Sequence, residues 1–375
     1  MRIKKLLVLM LVAALLVVGP AVADEGDIVI GFAGPLTGDS ALWGQSALMA
    51  AQLAVEDVNN AGGINGRRIV LLEGDDQGNP REAASLAQRY AADDRIVAIL
   101  GHIFGSCQMV AGPIYQAAGI PNMVSTASAP GIPFIGNYVF RINVGDVVAA
   151  QANANYLVQN MGIKTMAVIF DQTDYGVAYK DALVERAQSL GSTVTSTEAF
   201  VGGQDRDFTV QLTRIMRDDP EAIFMSCYGP DAALIADQAR NLGYEGLFLS
   251  LDSANSQHFL DLAGSAAEGT VIHTYFHRDI DIPAAKEFVE RYESAYNTHT
   301  FPSSPYAYDA MQVLIDALRR CEVINRANLR DAIEQTRDLP GVTGLINFDD
   351  DGDRPVAWDI MIEVKNGEFV IRDVI

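Results

Sequence analysis

The chain has 375 residues, 49% of them hydrophobic, and carries 27 basic against 48 acidic side chains for a formal net charge of −21. A surface this acidic repels nucleic acid and anionic lipid, which excludes a polyanion-binding protein. The length suggests two domains with large cores, and the three cysteines (Cys107, Cys227 and Cys321) match neither a zinc spacing nor a disulfide scaffold.

The N-terminus reads as a leader. Arg2, Lys4 and Lys5 precede an apolar run at 6–18, and Ala21-Val22-Ala23 forms a small-x-small pattern before Asp24. That is an export signal cleaved after Ala23, and its apolar part is too short for a comfortable membrane span. No cysteine follows the cleavage point, so no lipid anchor is expected. Cleavage would take the formal charge from −21 to −24 by removing the three leader cations. A soluble, exported product without a disulfide is expected.

After the leader, strands and helices alternate. The run 28–33 predicts a strand, followed by the loop Gly34-Pro35-Leu36-Thr37-Gly38 and by Trp43-Gly44. Leu48, Ala51, Val55 and Val58 recur at helical spacing, and Asn59-Asn60-Ala61-Gly62-Gly63 ends that helix with residues that tolerate left-handed geometry. A strand at 68–73, a helix at 81–92 and a continuous apolar strand at 96–100 complete a βαβαβ pattern, the mark of a doubly wound parallel sheet. The pattern breaks near 141–150 and then restarts. Strands are expected at 166–170, 193–198, 222–226, 247–251 and 270–275, with helices between them; helices follow at 284–296, 306–320 and 326–336. The segments 356–364 and 368–375 read as a closing hairpin. Helix, acidic turn, buried strand and polar loop recur in the same order in REAASLAQRYAADDRIVAILGH and DFTVQLTRIMRDDPEAIFMSCY, a weak internal repeat that suits two similar lobes.

The stretch 96–130 organises the functional reading. Its first strand stops at Gly101-His102 and is followed by Gly105-Ser106-Cys107; its second run, 120–124, stops at Ser125-Thr126-Ala127-Ser128. Ligands sit at the carboxyl ends of strands in open α/β sheets, and the first turn of a helix offers free N–H donors and a positive dipole end. A carboxylate or similar polar group is therefore expected at Ser106 and Ser128. The competing reading makes each serine a simple helix cap.

Catalytic patterns fail. There is no G-x-G-x-x-G after the first strand, no P-loop, no H-E-x-x-H and no G-x-S-x-G. His273 and His277 fall on strand and loop, out of alignment for a metal, and Asp349-Asp350-Asp351-Gly352-Asp353 lacks the distal Glu of a calcium loop. His102 with Ser106 is the one faint nucleophile–base pair, and it has no third member. No cofactor, metal or catalytic residue is expected.

Several pieces, taken in order, resemble one family. They are GPLTG with Trp43-Gly44, DVNNAGGINGRRIVLLEGDDQGNP, the GxxxxS element at 101–106, AGPIYQAAGIP, the DYG at 174–176, SPYAYDA at 304–310 and FDDDGD at 348–353. Together they resemble the periplasmic leucine/isoleucine/valine-type (branched-chain amino acid) solute-binding proteins of ABC transporters, over nearly all of 28–375. The resemblance implies an α/β fold of two doubly wound lobes joined by three crossovers, the type I periplasmic binding protein fold. It maps lobe one to 24–142 plus 276–340 and lobe two to 143–275 plus 341–375, after a signal peptide at 1–23. It implies a periplasmic, non-enzymatic protein that delivers a small amino acid to a membrane permease, most simply as a monomer. A sensor on the same fold, or a binder of amides, urea or aromatic carboxylates, is the alternative. The implied site comprises Gly105, Ser106, Thr126, Ala127 and Ser128 for a carboxylate, Asp252 for an ammonium, and Tyr175 and Tyr228 from the second lobe. Trp43, Phe104 and Tyr306 would approach from the first.

Overall fold

The computed structural model describes residues 26–355 and 359–375. The expected leader at 1–23 lies outside them, as do 356–358 of the closing hairpin.

The first lobe contains β1 (Ile28–Gly34), α1 (Ala41–Asn60), β2 (Ile69–Asp75), α2 (Pro80–Ala91), β3 (Ile96–Gly101), α3 (Gly105–Ala117), β4 (Asn122–Val124) and β5 (Val139–Arg141). Its five strands are all parallel, in the order β2-β1-β3-β4-β5. Every residue of β1 is buried, as a central strand covered on both faces requires. The second lobe follows with α4 (Asp146–Asn155), β6 (Thr165–Asp171), α5 (Asp174–Ser189), β7 (Thr193–Phe200), α6 (Thr209–Met216), β8 (Ala222–Ser226), α7 (Gly229–Asn241), β9 (Leu247–Ser250), α8 (Gln257–Ala263) and β10 (Val271–Thr274). The chain then returns to the first lobe with α9 (Pro283–Tyr296), α10 (Ser303–Arg320), α11 (Arg326–Glu334) and the short hairpin β11 (Leu339–Gly341)–β12 (Gly344–Ile346). It rejoins the second sheet as β13 (Ile360–Lys365) and β14 (Glu368–Val374), giving the order β14-β13-β10-β9-β8-β6-β7. Strands β13 and β14 pair antiparallel at one edge of an otherwise parallel sheet.

Local chemistry explains the motifs. Asn79 caps α2 by accepting from Arg81 N–H at 2.9 Å, with Pro80 at the first helical position. Asn59 at the end of α1 exchanges two hydrogen bonds with the backbone of Ile69, tying helix to strand. Gly63 between them has φ +75, and a Cβ there would lie 2.1 Å from the Arg67 carbonyl oxygen. Asp309, the acid of SPYAYDA, is buried in α10 and accepts from the backbone N–H groups of Val342 and Thr343, which pins the β11–β12 turn. In FDDDGD, Asp349 accepts from the N–H groups of Asp351 and Asp353. It is a self-capped turn, and among the described residues no cluster of acids or histidines has the makings of a metal site.

Five elements, β5, α4, α8, β11 and β12, escaped the sequence reading. The stretch near 141–150 that reads as a break contains the end of β5 and the start of α4. The helix α8 and the hairpin β11–β12 are too short to show a period. All three cysteines are buried and unpaired.

Candidate ligand-binding site

Between the lobes lies a cleft of about 620 Å³, within the range of small-molecule sites. Every residue expected at the site lines it: Trp43, Phe104, Gly105, Ser106, Thr126, Ala127, Ser128, Tyr175, Tyr228, Asp252 and Tyr306.

One wall is made of hydrogen-bond donors. Helix α3 begins at Gly105 without a side-chain cap, because the residue before it is Phe104. Its first N–H groups are therefore not occupied by a cap, and its first two residues, Gly105 and Ser106, line the cleft. Ser106 stands inside this first turn and is not the cap. Gly105 is forced by a close approach: a Cβ would sit 2.9 Å from the Cβ of Ala129. The loop 126–129 is held from behind. Thr126 donates its hydroxyl to the Ile103 carbonyl at 2.9 Å, and Asn143 donates to the Thr126 carbonyl at 2.8 Å. Arg141, nearly fully buried, donates to the carbonyls of Ser128 and Ala129 at 2.8 and 3.0 Å and pairs through Nε with Asp353 at 2.6 Å. These bonds fix the loop from behind, and its residues 126–129 line the cleft.

The other wall is made of carboxylates and phenols at the carboxyl ends of the second sheet. Asp252 follows β9 in a short 3₁₀ turn, and its side chain does not cap that turn. Instead it accepts from the hydroxyl of Tyr306, on α10 of the first lobe, at 3.0 Å. Burial raises the Asp252 pKa, opposed by its hydrogen bonds, among them the one from Tyr306. Tyr228 precedes α7 and Tyr175 opens α5, their rings 5.1 Å apart. Trp43 and Phe104 meet Tyr228 edge-on from the first lobe, at 6.1 and 5.8 Å. Trp43 is itself anchored by Phe301 at 4.9 Å and by Ser303, which donates to its carbonyl at 2.7 Å.

The cleft also contains acids that the sequence reading did not single out: Asp146, Asp171 and Asp231. Asp171 ends β6 as Asp252 follows β9, so the signal was available in the acid that closes an apolar run. Asp146 lay in the segment read as a break. Burial lifts its pKa to about 6, against the pull of Ser128 and Arg141. The Asp171 and Asp231 pKa values are also raised, first by burial. His102 does not join Ser106. It is buried with Nδ1 2.6 Å from Asp76 and Nε2 3.1 Å from Tyr115, a structural network behind the donor wall. His273 is likewise buried, against Asp359 at 2.9 Å. A second cavity, of about 430 Å³, is lined by Phe276–Asp279 and His299–Pro302 among others. Its cation Arg278 is already paired with Glu293 and His299.

The chain as a whole has relatives. It is 26% identical over 343 residues to a Leu/Ile/Val-binding protein homolog of Brucella suis, covering 91% of each chain. A leucine binding protein of Thermotoga maritima superposes with a TM-score of 0.85 at 29% identity, over 93% of this chain and 98% of that one. A branched-chain amino acid transporter substrate binding protein of Streptococcus pneumoniae, solved with isoleucine, gives a TM-score of 0.87 at 26% identity, over 93% and 99% of the two chains. A family model described as "Periplasmic binding protein" matches residues 27–368. The match spans most of the chain and agrees with its two α/β lobes, and the chain belongs to the periplasmic binding protein family, as an exported, non-catalytic binding protein.

Proposed function

We propose that the cleft captures a small α-amino acid as its zwitterion. The observation that carries this reading is the pairing of opposite walls: the uncapped N-terminus of α3 on one side, and Asp252, braced by Tyr306, on the other. The ligand carboxylate accepts from the α3 N–H groups, Ser106 and the 126–128 loop. Its ammonium donates to Asp252. Both charges must be matched, because closing the lobes removes water and an unpaired buried charge is costly. Trp43, Phe104, Tyr175 and Tyr228 form an aromatic collar between the walls. The named ligands of two relatives, leucine and isoleucine, support an amino acid as the class. As a member of this family the protein releases its solute to an ABC permease, and the chemistry ends at capture.

A thermal-shift screen of the mature protein tests the reading. A tight ligand raises the melting temperature by mass action. Hits among α-amino acids are expected; hits confined to amides, urea or carboxylic acids without an amine would remove Asp252 from its role.

A further inference from the structure

Capturing a simple zwitterion leaves two acids without work. Among the described residues, the buried carboxylate oxygens that lack any hydrogen-bond partner are Asp146 Oδ2 and Asp171 Oδ2. Asp146 is 2% exposed and Asp171 is 0% exposed. Both line the cleft. Buried polar groups are nearly always bonded, so two orphaned carboxylates facing one cavity need a reason.

Neither orphaned oxygen receives a donor from the protein, although Arg141 draws on Asp146 from behind the loop and Ser128 bonds it. The arginine lining this cleft, Arg206, turns to Asp231 at 3.5 Å. Asp231 also accepts from Gly203 N–H at 2.9 Å, so that acid is served. Asp171 accepts from both the N–H and the hydroxyl of Thr173, each on its other oxygen, which leaves Oδ2 without a partner. Tyr228 and Tyr175, their rings 5.1 Å apart, line the same cleft as Asp146, Asp171 and Asp252. Asp252 and Asp171 stand at the ends of β9 and β6, with β8 between them. Two strand spacings put them roughly 10 Å apart. One α-ammonium cannot serve both ends of such a row; a ligand with two cationic ends can.

We propose that the ligand is a basic amino acid, whose side-chain ammonium or guanidinium sits between Asp146 and Asp171 against the face of Tyr228 while its α-ammonium pairs with Asp252. The inference rests on the amino-acid reading above and narrows it. A side-chain cation brings several donors, enough for both orphaned oxygens, and a phenol face adds cation–π attraction. The charge of the ligand replaces the water that two buried carboxylates would otherwise need.

Isothermal titration of the mature protein with L-lysine, L-arginine and L-ornithine against L-norleucine and L-leucine decides it. Norleucine keeps the lysine stem and loses its charge. At least one basic amino acid is expected to bind tenfold or more tighter than norleucine, and Asp171→Asn and Asp146→Asn are each expected to cut that ratio at least fivefold. A melting curve without ligand confirms that each variant is folded, and the wild-type ratio stands without them. Norleucine or leucine binding as tightly as every basic amino acid overturns the inference and leaves the amino-acid reading standing. No binding by any of the five overturns the inference, and the thermal-shift screen above separately decides the amino-acid reading.

Discussion

The two walls of the cleft are opposites. The first lobe offers backbone N–H groups and hydroxyls, fixed by a buried arginine behind them; the second offers carboxylates and phenols at its strand ends. The donor wall is built from main chain, so its polarity survives most side-chain changes. The acceptor wall is built from side chains and is open to tuning. The difference teaches where such a protein keeps what is common to its ligands and where it keeps what distinguishes them. Under the proposed reading, backbone would read the carboxylate that amino acids share, and replaceable acids and rings the remainder.

The sharpest way to break this division is at Asp252. Asp252→Ala is expected to weaken binding of the cognate amino acid at least a hundredfold, roughly 3–5 kcal/mol, because the ammonium is stranded in the closed cleft. Titration calorimetry reads it, and an unchanged Kd would take Asp252 out of the acceptor wall. On the donor side, Arg141→Met is expected to cost roughly 3 kcal/mol of stability in urea denaturation, since it leaves Asp353 unpaired and takes one of two donors from each of the Ser128 and Ala129 carbonyls. It should also loosen the carboxylate subsite; affinity preserved in a destabilised protein would show that the loop holds its shape without the arginine.

The acceptor wall should show itself in pH dependence. The Asp146 pKa is raised from 3.8 to about 6 in the folded protein. Between those values the native state keeps a proton that the unfolded chain has lost. The contribution of Asp146 to the stability of the ligand-free protein is therefore fully present below the lower value and is lost as pH rises toward the upper one, by on the order of 2–3 kcal/mol. Asp146→Asn should remove that part of the slope in melting curves taken across this window, and a slope identical to wild type would mean Asp146 ionises freely. The smallest effect is expected from Ser128→Ala, about 1 kcal/mol in ligand affinity, because backbone donors remain beside it. A loss as large as that from Asp252→Ala would mean the donor wall is a side-chain device after all.

Much of this was legible in the letters, for identifiable reasons. Continuous apolar runs such as 96–100 announce strands covered on both faces, and a strand that ends in small polar residues announces a binding loop. Ser106 and Ser128 could be found because they sit at such ends, whereas Asp252 came from the family resemblance. What could not be read depends on partners distant in sequence. Arg141 interrupts a short apolar strand, which hints at a buried ion pair, yet its partner Asp353 comes from the turn before the last two strands. The Asp309 grip on the turn at Val342-Thr343 is equally remote. Helix α4 was missed because its polar and small residues give little periodicity, and with it went Asp146.

The aromatic contact across the cleft has an optical consequence. Trp43, on the first lobe, touches Tyr228 on the second, and the chain has only two tryptophans. Any movement that parts the lobes exchanges a ring edge for water at the indole, which shifts its emission to longer wavelength; closure reverses the shift. In a Trp358→Phe background the fluorescence would come from that single indole. The protein would then signal the occupancy of its own cleft without a label, at the position where the two lobes meet.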